Sequence, residues 1–295
     1  MMFTLLDKLI DTLESNPNKE LAEIKQITTA TAQALKQFND KRPTSETFDG
    51  CWQSLVETLD ECALCVGALI AVKMDSQPLL QKLGKLDFLI KQKTDQIVFI
   101  FGSEPDCQLA TKLTNEAARR FWVTTFGANA CMVPFEEFVR ELARVSGLSG
   151  ELSAEDIEAL REYLAFTGNS LGVSVYELEI FRKSFGPLTG CVNRLLLPFK
   201  LGILANVAHT TAQSANTLLT GRSAGSYLVR LSKSNPGTFA VTYIDSKLKI
   251  KHCLLYPAQP YGLTLKEPPE VYPSLDAFVK AHGSRLVTPV GTLVQ

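Results

Sequence analysis

Gly225-Ser226-Tyr227-Leu228-Val229-Arg230-Leu231-Ser232 places one arginine inside an otherwise apolar run, with a serine two residues later. Side chains alternate across a strand, so Leu228, Arg230 and Ser232 share one face while Tyr227, Val229 and Leu231 share the other. A buried guanidinium without an anion is strongly destabilising, whereas its planar fork suits two phosphate oxygens. The run passes into Ser234-Asn235-Pro236-Gly237, where Pro and Gly are placed for the centre of a type II turn. A second strand is expected over 238–243. Asp245-Ser246 turns the chain again into a third, over 248–254, giving a three-stranded antiparallel meander.

The segment resembles a Src homology 2 domain. Arg230 matches the family's phosphate-binding arginine, Ser232 its pocket serine, and Lys251-His252 the lysine-histidine pair of its fourth strand. Tyr272-Pro273-Ser274-Leu275 resembles the opening of the second helix, and Leu286-Val287-Thr288-Pro289 the closing strand. The resemblance implies a phosphotyrosine pocket made by Arg230, the Ser232 and Ser234 hydroxyls, backbone amides near Lys233 and Asn235, and His252 as packing or donor. Two auxiliary basic positions of the family are not basic: the stretch 208–214 offers only His209, and Leu254 stands two after His252. Charge-assisted bonds are worth about 1.5–3 kcal/mol each, so the expectation is weaker binding, not its loss.

The other residues supply helices. Leu5, Leu9 and Leu13 recur before Asn16-Pro17, and Leu21, Ile24, Leu35 and Phe38 mark a second helix. Trp52, Leu55, Leu59, Cys62, Val66 and Leu69 form a third stripe, and Leu79, Leu83, Leu86, Ile90 and Ile97 a fourth. Four amphipathic helices with short turns predict an antiparallel bundle. From Gly102 onward, helix, loop, short strand and helix occur twice. Thr114 is expected to cap the first of these helices, Met132-Val133-Pro134-Phe135 to be extended, and Ser153-Ala154-Glu155-Asp156 to form a capping box. That layout is one of paired EF hands. Bundle, EF hands and Src homology 2 domain in this order are similar to the tyrosine-kinase-binding region of the Cbl ubiquitin ligases. The residues carrying the likeness are 117–122 (Ala-Ala-Arg-Arg-Phe-Trp), Phe126-Gly127, Val133-Pro134-Phe135 and 175–181 (Val-Tyr-Glu-Leu-Glu-Ile-Phe) with Phe185. The fold class is thus multidomain, α plus α+β, divided at 1–103, 104–197 and 198–295, the last with a central antiparallel sheet flanked by two helices.

Calcium needs six to eight oxygens at fixed loop positions. With Glu177 as the twelfth position, the first is Phe166, the third Gly168, the fifth Ser170, the seventh Gly172 and the ninth Ser174. The first carboxylate is missing, and Asn129 to Pro134 supplies none in the first hand, so no metal or other cofactor is expected. Cys62 and Cys65 fall on a helix stripe without a second pair at zinc spacing, which reads as core. No nucleophile motif surrounds His209, His252 or His282, and no phosphate loop of the Walker type occurs. No catalytic residue is assigned.

Net charge is −1 with a pI near 6.3, which gives no basic footprint for nucleic acid. No apolar run reaches the ~20 residues of a membrane span, the amino terminus has no leader pattern, and the odd count of seven cysteines fits reduced thiols. These features point to a cytoplasmic protein. The resemblance implies tyrosine-phosphorylated proteins or peptides as partners, and a non-catalytic role as the substrate-binding part of a ubiquitin ligase or as an adaptor. The cysteine-histidine module that transfers ubiquitin is not among these residues. Residues 256–271 make the last domain longer than the abbreviated one of the Cbl family, with an extra strand expected at 262–265. A signal-transducer-type transcription factor fragment is the alternative, since it also joins helices, an EF-like linker and a Src homology 2 domain. Leu195-Leu196-Leu197-Pro198-Phe199 reads as an apolar connector buried before the last domain. Oligomeric state is not legible.

Overall fold

The computed structural model describes residues 2–38, 43–102, 109–167, 172–205, 212–232, 234–258, 261–266 and 270–290. The chain divides into two compact units, Met1–Cys107 with Thr167–Leu171 and Gln108–Phe166 with Gly172–Gln295.

The first unit is helical: α1 (Met2–Ser15), α2 (Lys19–Leu35), α3 (Glu46–Ala71) and α4 (Gln77–Phe101). The starts of α2, α3 and α4 are encoded locally. Asn18 and Ser45 accept the backbone N–H of Glu20 and Phe48 at 2.8 and 3.1 Å, and Pro78 occupies the first turn of α4. The helices pack in the ring order α1, α2, α4, α3, with Leu6, Leu9, Leu21, Leu55, Leu59 and Ile97 fully or almost fully buried. Cys62 and Cys65 lie in this core. Burial pushes the Cys62 thiol up to about 12, which makes it inert at neutral pH. Helix α4 departs from the simple amphipathic expectation, because Asp87, Gln92, Lys93, Thr94 and Gln96 are all buried.

The second unit opens with α5 (Glu116–Phe126), β1 (Met132–Val133), α6 (Phe135–Ser146), α7 (Ala154–Leu164), β2 (Val173–Ser174) and α8 (Val175–Phe185). Strands β1 and β2 pair antiparallel, Met132 opposite Ser174 and Val133 opposite Val173, which joins the two helix-loop-helix repeats. Gly172, at φ +118°, makes that pairing possible, since any Cβ there would collide with the Val133 carbonyl. Asn115, not Thr114, caps α5, accepting from Ala118 N at 3.0 Å. Thr114 instead donates to Glu179 Oε1 at 2.6 Å, a contact between distant segments that spacing alone could not reveal. Ser153 and Ser174 both close capping boxes, with Asp156 and Glu177.

Residues 195–199, expected as a connector, belong to helix α9 (Cys191–Lys200), and Leu197 is 49% exposed while Leu195 and Leu196 are buried. Helical periodicity explains the difference, since five consecutive apolar residues cannot all face one side of a helix. Helix α9 packs on α6, α7, α8 and on α11 (Leu275–Ala281), so the division at 197/198 lies inside an element that touches both halves of this unit.

The remaining elements are α10 (Ala212–Leu219), β3 (Ser226–Leu231), β4 (Phe239–Ile244), β5 (Ile250–Pro257), β6 (Leu263–Thr264), β7 (Val271–Tyr272) and β8 (Thr288–Pro289). They form one sheet in the order β7-β6-β5-β4-β3-β8, antiparallel except for the β3–β8 pair. Helix α10 packs on one face through Ala215, Leu219, Leu228 and Ile244. The expected third strand begins later, at Ile250, because Leu248 turns the chain at φ +59° while Asp245 Oδ1 accepts from Lys247 N and Lys249 N. Both β6 and β7 lie in or beside the region that sequence marked as an extra strand.

Candidate functional site

Strand β3 is buried at every position, and Arg230 is only 8% exposed. Its antiparallel register sets Arg230 opposite Ala240 and Leu228 opposite Thr242, and β5 continues these rows with Leu254 and His252. Directly opposed residues present their side chains to the same face. Arg230, Thr242 and His252 therefore share a face, with the small Ala240 opposite Arg230. His252 is exposed; its Nδ1 lies 3.0 Å from Thr242 Oγ1. Partial burial and then the Arg230 charge hold the imidazole below its usual pKa, so it is neutral at pH 7. A neutral ring beside Arg230 adds no repulsion. Arg230 Nη1 donates to the Leu231 carbonyl at 3.3 Å.

The turn beyond β3 is built from its own side chains. Ser232 is buried, its N–H donates to the Thr238 carbonyl at 2.8 Å, and its Oγ accepts from Asn235 N at 3.2 Å. Ser232 Oγ and Ser234 Oγ are 3.4 Å apart, and Asn235 Nδ2 donates to Ser234 Oγ at 3.0 Å. Thr238 N donates to Asn235 O at 3.0 Å and Gly237 has φ +83°, the geometry expected of Pro236-Gly237 at a type II turn centre. Arg230, Ser232, Ser234, Asn235 and His252 thus lie on β3, its following turn and β5, while Lys233 and His209 fall outside the described residues. Two preorganised hydroxyls beside a cation on a strand floor make an anion-receiving arrangement.

Residues missed by sequence reasoning support this arrangement from behind. Thr242 fixes His252, and Phe239, fully buried at the start of β4, meets Phe185 of α8 edge-on at 5.5 Å. Tyr163 of α7 donates from its buried hydroxyl to Ala205 O at 2.6 Å, and Ala205 N in turn donates to Val229 O of β3. Phe185 was marked beforehand as part of the Cbl likeness, but of Tyr163 and Phe239 only the aromatic character was visible.

In the second EF-hand loop the described positions are engaged within the protein. Phe166 stands at its first position, 6% exposed and 6.2 Å from the Tyr176 ring. Glu177 is fully buried, with Oε2 accepting from Ser174 N at 2.9 Å and from Ser174 Oγ at 3.1 Å. Gly172 and Ser174 serve strand pairing and capping, and Ser170 and Gly168 fall outside the described residues.

Fold and site together define a multidomain protein carrying a Src homology 2 domain. Residues 206–282 match the SH2 domain family, and residues 111–197 match the family described as the CBL proto-oncogene N-terminus, EF hand-like domain. The E3 ubiquitin-protein ligase cblA of Dictyostelium discoideum is 30% identical over 240 residues, 74% of this chain and 34% of that protein. The dual specificity protein kinase shkB of the same organism is 25% identical over 172 residues, 57% of this chain and 26% of that protein. The chain thus spans about a third or less of these relatives. A solved structure, the inactive choanoflagellate E3 ubiquitin ligase Cbl TKB, shares the fold at TM-score 0.66 and 19% identity, covering 98% of this chain and 88% of that one. In this chain the segment similar to the Cbl EF-hand-like domain precedes the segment similar to an SH2 domain, the order also shared with the Cbl-like fold neighbour.

Proposed function

We propose that this chain recognises tyrosine-phosphorylated proteins, with Arg230 as the principal phosphate ligand, Ser232 and Ser234 as hydroxyl donors, Lys233 and Asn235 as further donors from the turn, and His252 packing beside the ring. The observation that carries the reading is a guanidinium 8% exposed on a strand, with a small residue opposite and hydroxyls at the strand end. Its depth favours a ligand that projects its phosphate beyond an aromatic ring. The chain acts as the substrate-selecting part of a ubiquitin ligase or as an adaptor, catalyses nothing itself, needs no calcium and works in the cytoplasm. Among the described residues no helix is long and apolar enough to cross a membrane. The match of 111–197 to a Cbl domain favours this reading over a signal-transducer-type transcription factor.

Calorimetry with a phosphotyrosine peptide tests it. Arg230→Lys keeps the charge but loses the fork, at a cost of about 3 kcal/mol, or ~100-fold in affinity. Binding within about threefold of wild type, or equal affinity for phosphoserine and phosphotyrosine versions of one peptide, would remove the site from Arg230.

A further inference from the structure

The turn that follows β3 is fastened to helix α8. Gly237 is buried, and a methyl group placed on it would fall 2.6 Å from Lys183 Cβ and 3.2 Å from Lys183 Cδ. Two residues further on, the Phe239 ring meets Phe185 at 5.5 Å and 71°. Phe185 is itself gripped by Phe181 at 4.9 Å and Tyr163 at 5.6 Å, and a guanidine nitrogen of Arg194 donates to its carbonyl at 2.5 Å. Lys183 is held as well, its Nζ lying 3.5 Å from the carboxylate of Glu179, which is 1% exposed and also bonded by Thr114 and Arg182. Glu179 is buried, which would raise its pKa, but those bonds hold it below the usual carboxylate range, so the anchor stays charged at neutral pH. Helix α8 is thus a fixed surface, and among the described residues of the turn Gly237 and Phe239 rest on it. Between β3 and those points stand Ser232, Ser234 and Asn235.

We infer that Lys183 and Phe185 of the EF-hand-like domain are positioning residues for the anion pocket: they set the conformation of the turn at 234–238, and hence the pocket's affinity, without touching the ligand. The inference rests on the reading of Arg230 as the phosphate site. The bare pocket ligand, phosphotyrosine amide, separates this role from peptide contacts elsewhere. Phe185→Leu should weaken phosphotyrosine amide and a phosphotyrosine peptide by the same factor, about tenfold, at a temperature where circular dichroism shows the full chain folded. Trp122→Phe serves as the stability control, since it removes the Nε1 bond to Ala130 O at 2.8 Å elsewhere in the same unit. It should lower the melting temperature and leave both affinities unchanged.

A second pair of variants guards against loss of folding. Phe239→Leu, made on the turn's side of the same ring contact, should weaken phosphotyrosine amide as Phe185→Leu does, and the two together should cost no more than either alone. Phosphotyrosine amide affinity within threefold of wild type in Phe185→Leu overturns the inference, as does an equal loss in Trp122→Phe. So does a double variant whose loss is the sum of the two single losses. Arg230→Lys run in parallel separates the two ideas. Retained binding there removes the pocket itself, whereas lost binding there with intact Phe185→Leu removes only the role of α8.

Discussion

Lys93→Met should stabilise the helical unit at neutral pH, and the size follows from where the ammonium sits. Lys93 is 7% exposed on α4, and its Nζ donates to Ser54 O at 3.0 Å, Ser54 Oγ at 2.8 Å and Thr58 Oγ1 at 2.7 Å. All three partners are neutral. Burial pushes its pKa from 10.5 down to about 8, with the fields of Glu57, Glu61 and Cys51 pulling the other way. That displacement corresponds to about 3 kcal/mol. Below pH 8 both folded and unfolded chains are protonated, and the folded one carries the whole desolvation cost. Between pH 8 and 10.5 the unfolded chain holds a proton that the folded one has released, so this contribution to stability rises with pH.

Methionine has similar length and no charge. Thr58 Oγ1 keeps its bond to Ser54 O at 2.9 Å, so the lost hydrogen bonding costs about 1 kcal/mol. The net gain is about 2 kcal/mol at pH 7, or roughly 4–8 °C in melting temperature. Thermal scans of wild type and variant at matched pH from 7 to 10, with hydrogen exchange of the α4 amides as a local probe, make the comparison. Taking the difference at each pH cancels other groups such as Cys62. A variant less stable at pH 7, or a difference that stays constant to pH 10, would refute the desolvation argument.

Two other outcomes are expected. Millimolar calcium should leave the melting temperature unchanged, whereas a site filled to 100 times its Kd would add about 2.7 kcal/mol; a rise reversed by chelator would contradict the reading of Phe166 and Glu177. Gly172→Ala should cost about 3 kcal/mol from a strained positive φ and overlap with the Val133 carbonyl, seen as a melting temperature roughly 10 °C lower.

Much of the local structure around Arg230 was legible because it depends on near neighbours. Alternation along 226–231 fixes which side chains share a face with Arg230, Pro236-Gly237 fixes a turn, and Ser153 needs only Asp156 three positions on to close a cap, whereas Ser174, read as a loop position, closes a second one with Glu177. The helical stripes likewise predict the four helices of the first unit and most of its buried leucines, although Leu6 and not Leu5 is buried on α1 and Leu79 is half-buried. Periodicity is less informative where a segment has more than one partner. Helix α4 buries polar residues that its apolar spacing leaves on the outside, and α9 packs on several helices at once yet leaves Leu197 exposed.

By itself, then, the sequence determined the elements, their faces and the identity of the buried cation, all of which depend on interactions within a few residues. Only the tertiary structure decided that Thr242 faces His252, that Tyr163 reaches Ala205 and that Phe185 meets Phe239. Periodicity says which side of an element is buried but not which neighbour buries it; strand register and helix packing set that pairing, across 10 residues for the first pair and 42 for the second.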